Sequence, residues 1–226
     1  MNAAGDTGAS ADADALPLVV VYADESCLGN GREAEGAPGA AGGVIEYRRP
    51  DTGEIVRRDY WLSEARTTNN RMAIRSIIEP FVALARRGQR FRIVFRSDSQ
   101  YLVKGMGEWV HGWLRKGWRK ADGQPVENQE LWRQALEAWA AAGHLVAFEW
   151  VRGHDGHAQN EYANHLATRA AARQDASAGL VASEFETWLE GARAKKTVKR
   201  AAEPFPATVA GFKAAPAGAR ARPVTA

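Results

Sequence analysis

Cysteine is nearly missing from this chain of 226 residues, with Cys27 standing alone. That excludes an internal disulfide and any zinc site built from several thiolates. It also fits a reducing compartment. No stretch approaches the ~18 consecutive apolar residues of a membrane span. The N-terminal MNAAGDTGASADADA carries acids where a secretory leader would carry a basic region, so a cytoplasmic protein without membrane attachment is expected. Acids are scarce at the other end: residues 191–226 hold eight Lys/Arg and only Glu203 against them. The calculated pI of about 9.1 therefore belongs largely to this tail, which could hold a polyanion or merely be a solvated extension.

With 45% hydrophobic and 25% charged residues, the chain has the composition of one globular core plus extensions. Residues 1–16 are small and polar and are expected to be disordered. A folded domain is expected over 17–173, a linker and short helix over 174–190 and a disordered basic tail over 191–226. LVVVYAD, ending at Asp24, is a short β-branched run, and Gly42–Arg48 and Glu54–Leu62 flank the turn residues PDTG. Three strands so closely spaced predict an antiparallel meander. A helix follows from Asn69, which Pro80 should end or kink. FRIVFRSD is a fourth strand, 144–151 a fifth, and helices are expected at 99–104, 108–114, 127–142, 159–173 and 180–189. The result is an α/β fold with a mixed sheet flanked by helices.

Two of these strands end in carboxylates, Asp24 and Asp98, each in an otherwise apolar run. An acid so placed is costly to bury without a compensating cation. On neighbouring strands the two could share Mg²⁺ or Mn²⁺; separately, each could cap the turn that follows it.

Five blocks carry a resemblance: YADESCLGN, RTTNNRM, SDSQYLVKGM, EWVHGWLRKGWRKADGQPVENQELW and FEWVRGHDGHAQNEYANHLA. In this order and spacing, over about 18–172, the chain closely resembles type 1 ribonuclease H. The resemblance implies the RNase H-like fold with a five-stranded mixed sheet. It further implies metal-dependent endonucleolytic hydrolysis of the RNA strand of RNA/DNA hybrids. Of the family's four metal-binding acids it identifies Asp24 and Asp98, while the other two positions hold Ala73 and Asn164. It also assigns His154 to product release or proton transfer. Asn30, Thr68, Asn69, Asn70 and Gln100 match its hybrid contacts, and Trp113, Arg115, Lys116, Arg119 and Lys120 match its basic protrusion.

Two acids bring a charge of only −2 to a site meant for two divalent cations, so weak metal binding and weak or lost cleavage are expected. Three acids could compensate: Glu25, Asp155 and Glu161. For Glu25 a bulge would be needed to bring it to the side of Asp24. The HxxH spacing of His154 and His157 is a poor zinc motif without further ligands. The leading expectation is a monomeric hybrid-binding module with an impaired site. The alternatives are an active enzyme with a rearranged metal site and a protein-interaction scaffold.

Overall fold

The computed structural model describes residues 15–29, 36–153 and 155–219. Three antiparallel strands come first: β1 (Leu18–Cys27), β2 (Ala37–Arg48) and β3 (Ile55–Thr67). Helix α1 (Asn69–Ala85) leads to β4 (Arg92–Ser97), then to the short α2 (Gln100–Lys104), a π-helical turn over Gly105–Trp109 and α3 (Val110–Arg115). Helix α4 (Gln129–Ala142), β5 (Leu145–Trp150), α5 (Ala158–Arg173), β6 (Val181–Ala182) and α6 (Phe185–Ala194) complete the order. The strands lie in the sequence β5-β4-β1-β2-β3-β6, with β4 parallel to both β1 and β5. The expected meander is present, whereas the expected sheet of five strands has six.

β1 lies inside the sheet and buries both faces, which is why its sequence is a continuous apolar run. Val19, Val21 and Ala23 join the cluster under α1 and α4, with Ile74, Ile77, Phe81, Trp132 and Trp139. Val20 and Tyr22 join the opposite cluster under α5 and α6, with Tyr162, Leu166, Phe185 and Leu189. α5 can lie close against the sheet because β2 carries Gly42, where a Cβ would stand 2.6 Å from the Ala167 nitrogen.

Helix α1 runs through Pro80 to Ala85 instead of stopping near Glu79. Proline has no N–H to give the Ser76 carbonyl four residues back. The Tyr60 hydroxyl of β3 donates to that oxygen instead, at 2.7 Å, so a tertiary bond replaces the missing helical one.

The C-terminal region differs most from expectation. β6 pairs with β3 where a helix from 180 is predicted. Its register is fixed by side chains: Ser177 Oγ donates to the Trp61 carbonyl, and Tyr162 Oη and the Glu184 N–H both donate to Asp59 Oδ2. Beyond α6, where a disordered tail is expected, residues 198–212 cross the α5 side of the sheet, and Ala215 and Ala219 pack on the first cluster on its other side; 220–226 and 1–14 lie outside the described residues. Phe205, Val209 and Phe212 pack on the second cluster. Lys213 exchanges backbone hydrogen bonds with Val146 at 2.8 and 2.9 Å, covering the edge of β5.

Candidate active site

The parallel pairing of β1 and β4 sets Tyr22 opposite Arg96. Two residues further along, Asp24 and Asp98 emerge at the same end of the sheet. Side chains alternate along a strand, so Asp24 shares the face of Tyr22, toward α5, while Glu25 shares the face of Ala23, toward α1.

Asp24 is only 5% exposed. Burial and the neighbouring Asp98 push its carboxyl up to about 7, against the backbone N–H of Glu25 and the Asn164 amide, which favour the charged form. The N–H of Glu25 donates to Asp24 Oδ1 at 2.7 Å. Glu25 is held well above the usual carboxylate range by burial, then by Asp24 and Asp98, with a hydrogen bond from Ser99 partly offsetting them. The three acids therefore repel one another across the ends of two adjacent strands. Asp24 Oδ2 and Glu25 Oε2 are buried without a hydrogen-bond partner.

Glu25 enters this group without a bulge. The pairing of β1 with β2 runs unbroken from Val19↔Tyr47 to Cys27↔Gly39, so Glu25 stays on the face opposite Asp24 and reaches the group from that side. Ala73 is fully buried on the side of α1 that faces the sheet. The carboxylate missing at Ala73 and the one added at Glu25 thus belong to the same side of the sheet. The dipeptide Asp24–Glu25 at a strand end is the sequence signal for this arrangement, since two successive acids there project to both faces.

The other two acids weighed as compensators stand differently. Asp155 pairs with Arg200 at 2.5 Å. Glu161, in the first turn of α5, adds a smaller repulsion on Asp24 and accepts from the Gly156 N–H at 3.4 Å. Gly153 lies so close to Asp98 that an added Cβ would overlap its carboxylate. His157 caps α5 and stands 2.6 Å from Glu203. His154 and Asn30 lie outside the described residues.

The donor set suits a hard divalent cation. It is all oxygen, two of its buried atoms are orphaned, and its mutual repulsion would be relieved by positive charge. Among the described residues, no three Asp, Glu, His or Cys side chains already stand in ligating geometry.

Around the acids, Thr68 caps α1 by accepting from the Arg71 N–H, and Asn69 and Asn70 are exposed on its first turn. Gln100 is exposed at the start of α2. Trp113 is half-buried between Trp109, Trp118 and Trp132, with ring centroids 5.6 to 6.4 Å apart. It is thus largely a packing residue. Beside it, Arg115 and Lys116 are exposed. Arg119 donates to the Gly123 carbonyl and Lys120 pairs with Glu127 at 3.2 Å, so both are partly engaged within the protrusion.

Comparison with known proteins identifies the family. The RNase H family model matches residues 17–172. Ribonuclease HI of Neisseria meningitidis serogroup B is 41% identical over 155 residues, covering 69% of this chain and 96% of that one. Ribonuclease H of an Acidovorax species is 42% identical over 151 residues, covering 67% and 93%. Among solved structures, LC9-RNase H1, described as a type 1 RNase H with the type 2 active-site motif, is 55% identical with a TM-score of 0.79, covering 89% of this chain and 93% of that one. The fold, the strand-end acids and these matches agree, and the chain belongs to the ribonuclease H family.

Proposed function

We propose that this protein hydrolyses the RNA strand of RNA/DNA hybrids, and that Asp24, Glu25 and Asp98 hold the divalent metal the reaction needs. The observation that carries this reading is the mutual repulsion of three carboxylates at the ends of β1 and β4. Such a cluster is unfavourable by itself and useful only with a cation. The expectation of an impaired site counts two acids; with Glu25 the site brings −3. The 55% identical structure is described as carrying a different active-site motif on the type 1 fold, which gives an altered acid set a precedent.

Bound Mg²⁺ or Mn²⁺ would supply a Lewis acid for the scissile phosphate and a water molecule acidic enough to attack at neutral pH. The protein's own groups do the rest. Asp24 is held within β1, where it pairs with Gly42 of β2, and Asp98 directly follows β4, whose parallel ladder with β1 reaches Tyr22 and Arg96. Glu25 approaches from the α1 side, its carboxylate oriented by Ser99, and Asn164 steadies Asp24 from α5. Exposed amides at Asn69, Asn70 and Gln100 can accept from and donate to 2′-hydroxyls, the groups that distinguish RNA from DNA. Arg115 and Lys116 offer charge to the phosphates of the other strand.

The test is cleavage of a labelled hybrid in Mg²⁺ and separately in Mn²⁺ by the parent, Glu25→Gln, Asp155→Ala and Glu161→Ala. The parent is expected to cleave, and Glu25→Gln to lose ~100-fold or more in kcat, the scale on which one stabilising contact to developing charge acts. The other two should stay within a few-fold of the parent. A parent silent in both metals but active after Ala73→Glu with Asn164→Asp would instead establish a hybrid-binding module with a disarmed site.

A further inference from the structure

The C-terminal segment lies outside the region matched by the family model, which ends at 172, yet it reaches the elements that carry the acids. Glu203 is its anchor. Its Oε2 accepts from Arg96 Nη1 at 2.6 Å, and its Oε1 stands 2.6 Å from His157 Nε2. Its backbone clasps Gln159 of α5 from both sides: the carbonyl accepts from Gln159 Nε2 at 2.9 Å, and the N–H donates to Gln159 Oε1 at 3.0 Å. Arg96 in turn donates to the Tyr22 hydroxyl at 2.7 Å and to Glu149 at 2.8 Å.

The placement matters because of strand periodicity. Tyr22 precedes Asp24 by two residues within β1, so the two share one face about 7 Å apart, and its partner Arg96 stands two residues before Asp98, which directly follows β4. The network joined by Glu203 therefore lies one strand repeat beneath the acids. Nearby, the Arg200 N–H donates to the Gly156 carbonyl at 3.3 Å and its guanidinium pairs with Asp155. The same segment thereby grips the loop whose Gly153 abuts Asp98.

We propose that residues 199–203 are a positioning element of the active site, with Glu203 tying β1, β4 and the start of α5 together beneath the metal-holding acids and Arg200 fixing the loop beside them. The inference rests on the metal-site reading above. Glu203 has a second, electrostatic effect. It offsets the charge of Arg96, a nearly buried guanidinium that would otherwise oppose a cation at the site. Groups in this supporting position typically change metal affinity or activity by ~10–100-fold when removed.

The experiment uses the full chain and compares the parent with Glu203→Ala, Glu203→Gln and Glu54→Ala, the last removing a remote exposed ion pair with Arg49. Mn²⁺ binding is measured by calorimetry without hybrid. Hybrid cleavage is resolved into kcat and KM, and circular dichroism checks folding. Expected are Mn²⁺ affinity and kcat lower by ~10-fold in Glu203→Ala and by roughly 3-fold in Glu203→Gln, with KM and Glu54→Ala unchanged. The glutamine keeps the shape and the clasp on Gln159, so it decides the matter if the alanine variant fails to fold. Parent-like Mn²⁺ affinity and kcat in Glu203→Gln would overturn the proposal. So would a raised KM at unchanged kcat, which would make the segment a hybrid contact. If the parent itself does not cleave but Glu203→Gln still weakens Mn²⁺ binding, the positioning role stands and the assigned hydrolysis falls.

Discussion

Replacing Asp24 by Asn should make the metal-free protein more stable while abolishing its activity. In the fold this carboxyl is pushed from 3.8 to about 7 by burial and by Asp98. A raised carboxyl pKa means that the native state holds its proton longer than the unfolded chain does. Stability therefore falls as pH rises from about 4 to about 7, and the loss is complete above the folded value. At ~1.4 kcal/mol per pH unit, the full span is worth on the order of 4 kcal/mol. Glu25 shares the same repulsion, so removing one charge relieves both acids and a gain of ~2–4 kcal/mol is expected at pH 8. The assay is urea unfolding in EDTA at pH 8 and at pH 4. Asp24→Asn should gain at pH 8 and match the parent at pH 4. Adding Mg²⁺ should stabilise the parent by ~1.4 kcal/mol at ten times its dissociation constant and leave the variant almost unmoved. A variant no more stable than the parent at pH 8 would refute the claim that this site stores electrostatic strain for a cation.

Four further outcomes follow from the same geometry. Ala73→Glu should bury a fourth acid on the side of Glu25 and cost more than ~2 kcal/mol in EDTA, whereas joining it with Glu25→Ala should return a three-acid site and hybrid cleavage. Gly153→Ala should displace Asp98 and lower kcat by ~10-fold or more, with a urea midpoint close to the parent's; an unchanged kcat would remove the loop from the site. Alanine at both Arg115 and Lys116 should flatten the salt dependence of hybrid binding by roughly one unit or more of log–log slope, read by fluorescence anisotropy. Tyr60→Phe should leave the Ser76 carbonyl buried and unpaired beside Pro80 and lose ~1–3 kcal/mol in urea unfolding.

Much of the fold was legible because its signals are local. The β-branched run before Asp24 and the apolar FRIVF before Ser97 could only be buried strands, and three strands with short connections could only pair as a meander. Pro80 misled because the hydrogen bond that lets the helix continue comes from Tyr60, a residue of another element. The tail misled in the same way. Its composition reads as solvated chain, yet Glu203 finds Arg96, His157 and Gln159, and Phe205 and Phe212 find an apolar sheet face. None of those partners is near in sequence.

The sequence by itself determined that two acids belong to or directly follow apolar strands, that a third follows the first directly, and that positions 73 and 164 lack the acids of the resembling family. Only the tertiary structure decided what this meant. Parallel pairing of β1 and β4 brings Asp24 and Asp98 to one edge. Strand alternation then sends Glu25 to the side where α1 offers only Ala73. A charge count along the chain cannot register that placement, because it depends on which face of a sheet each side chain leaves from, and that is fixed only once the strands have neighbours.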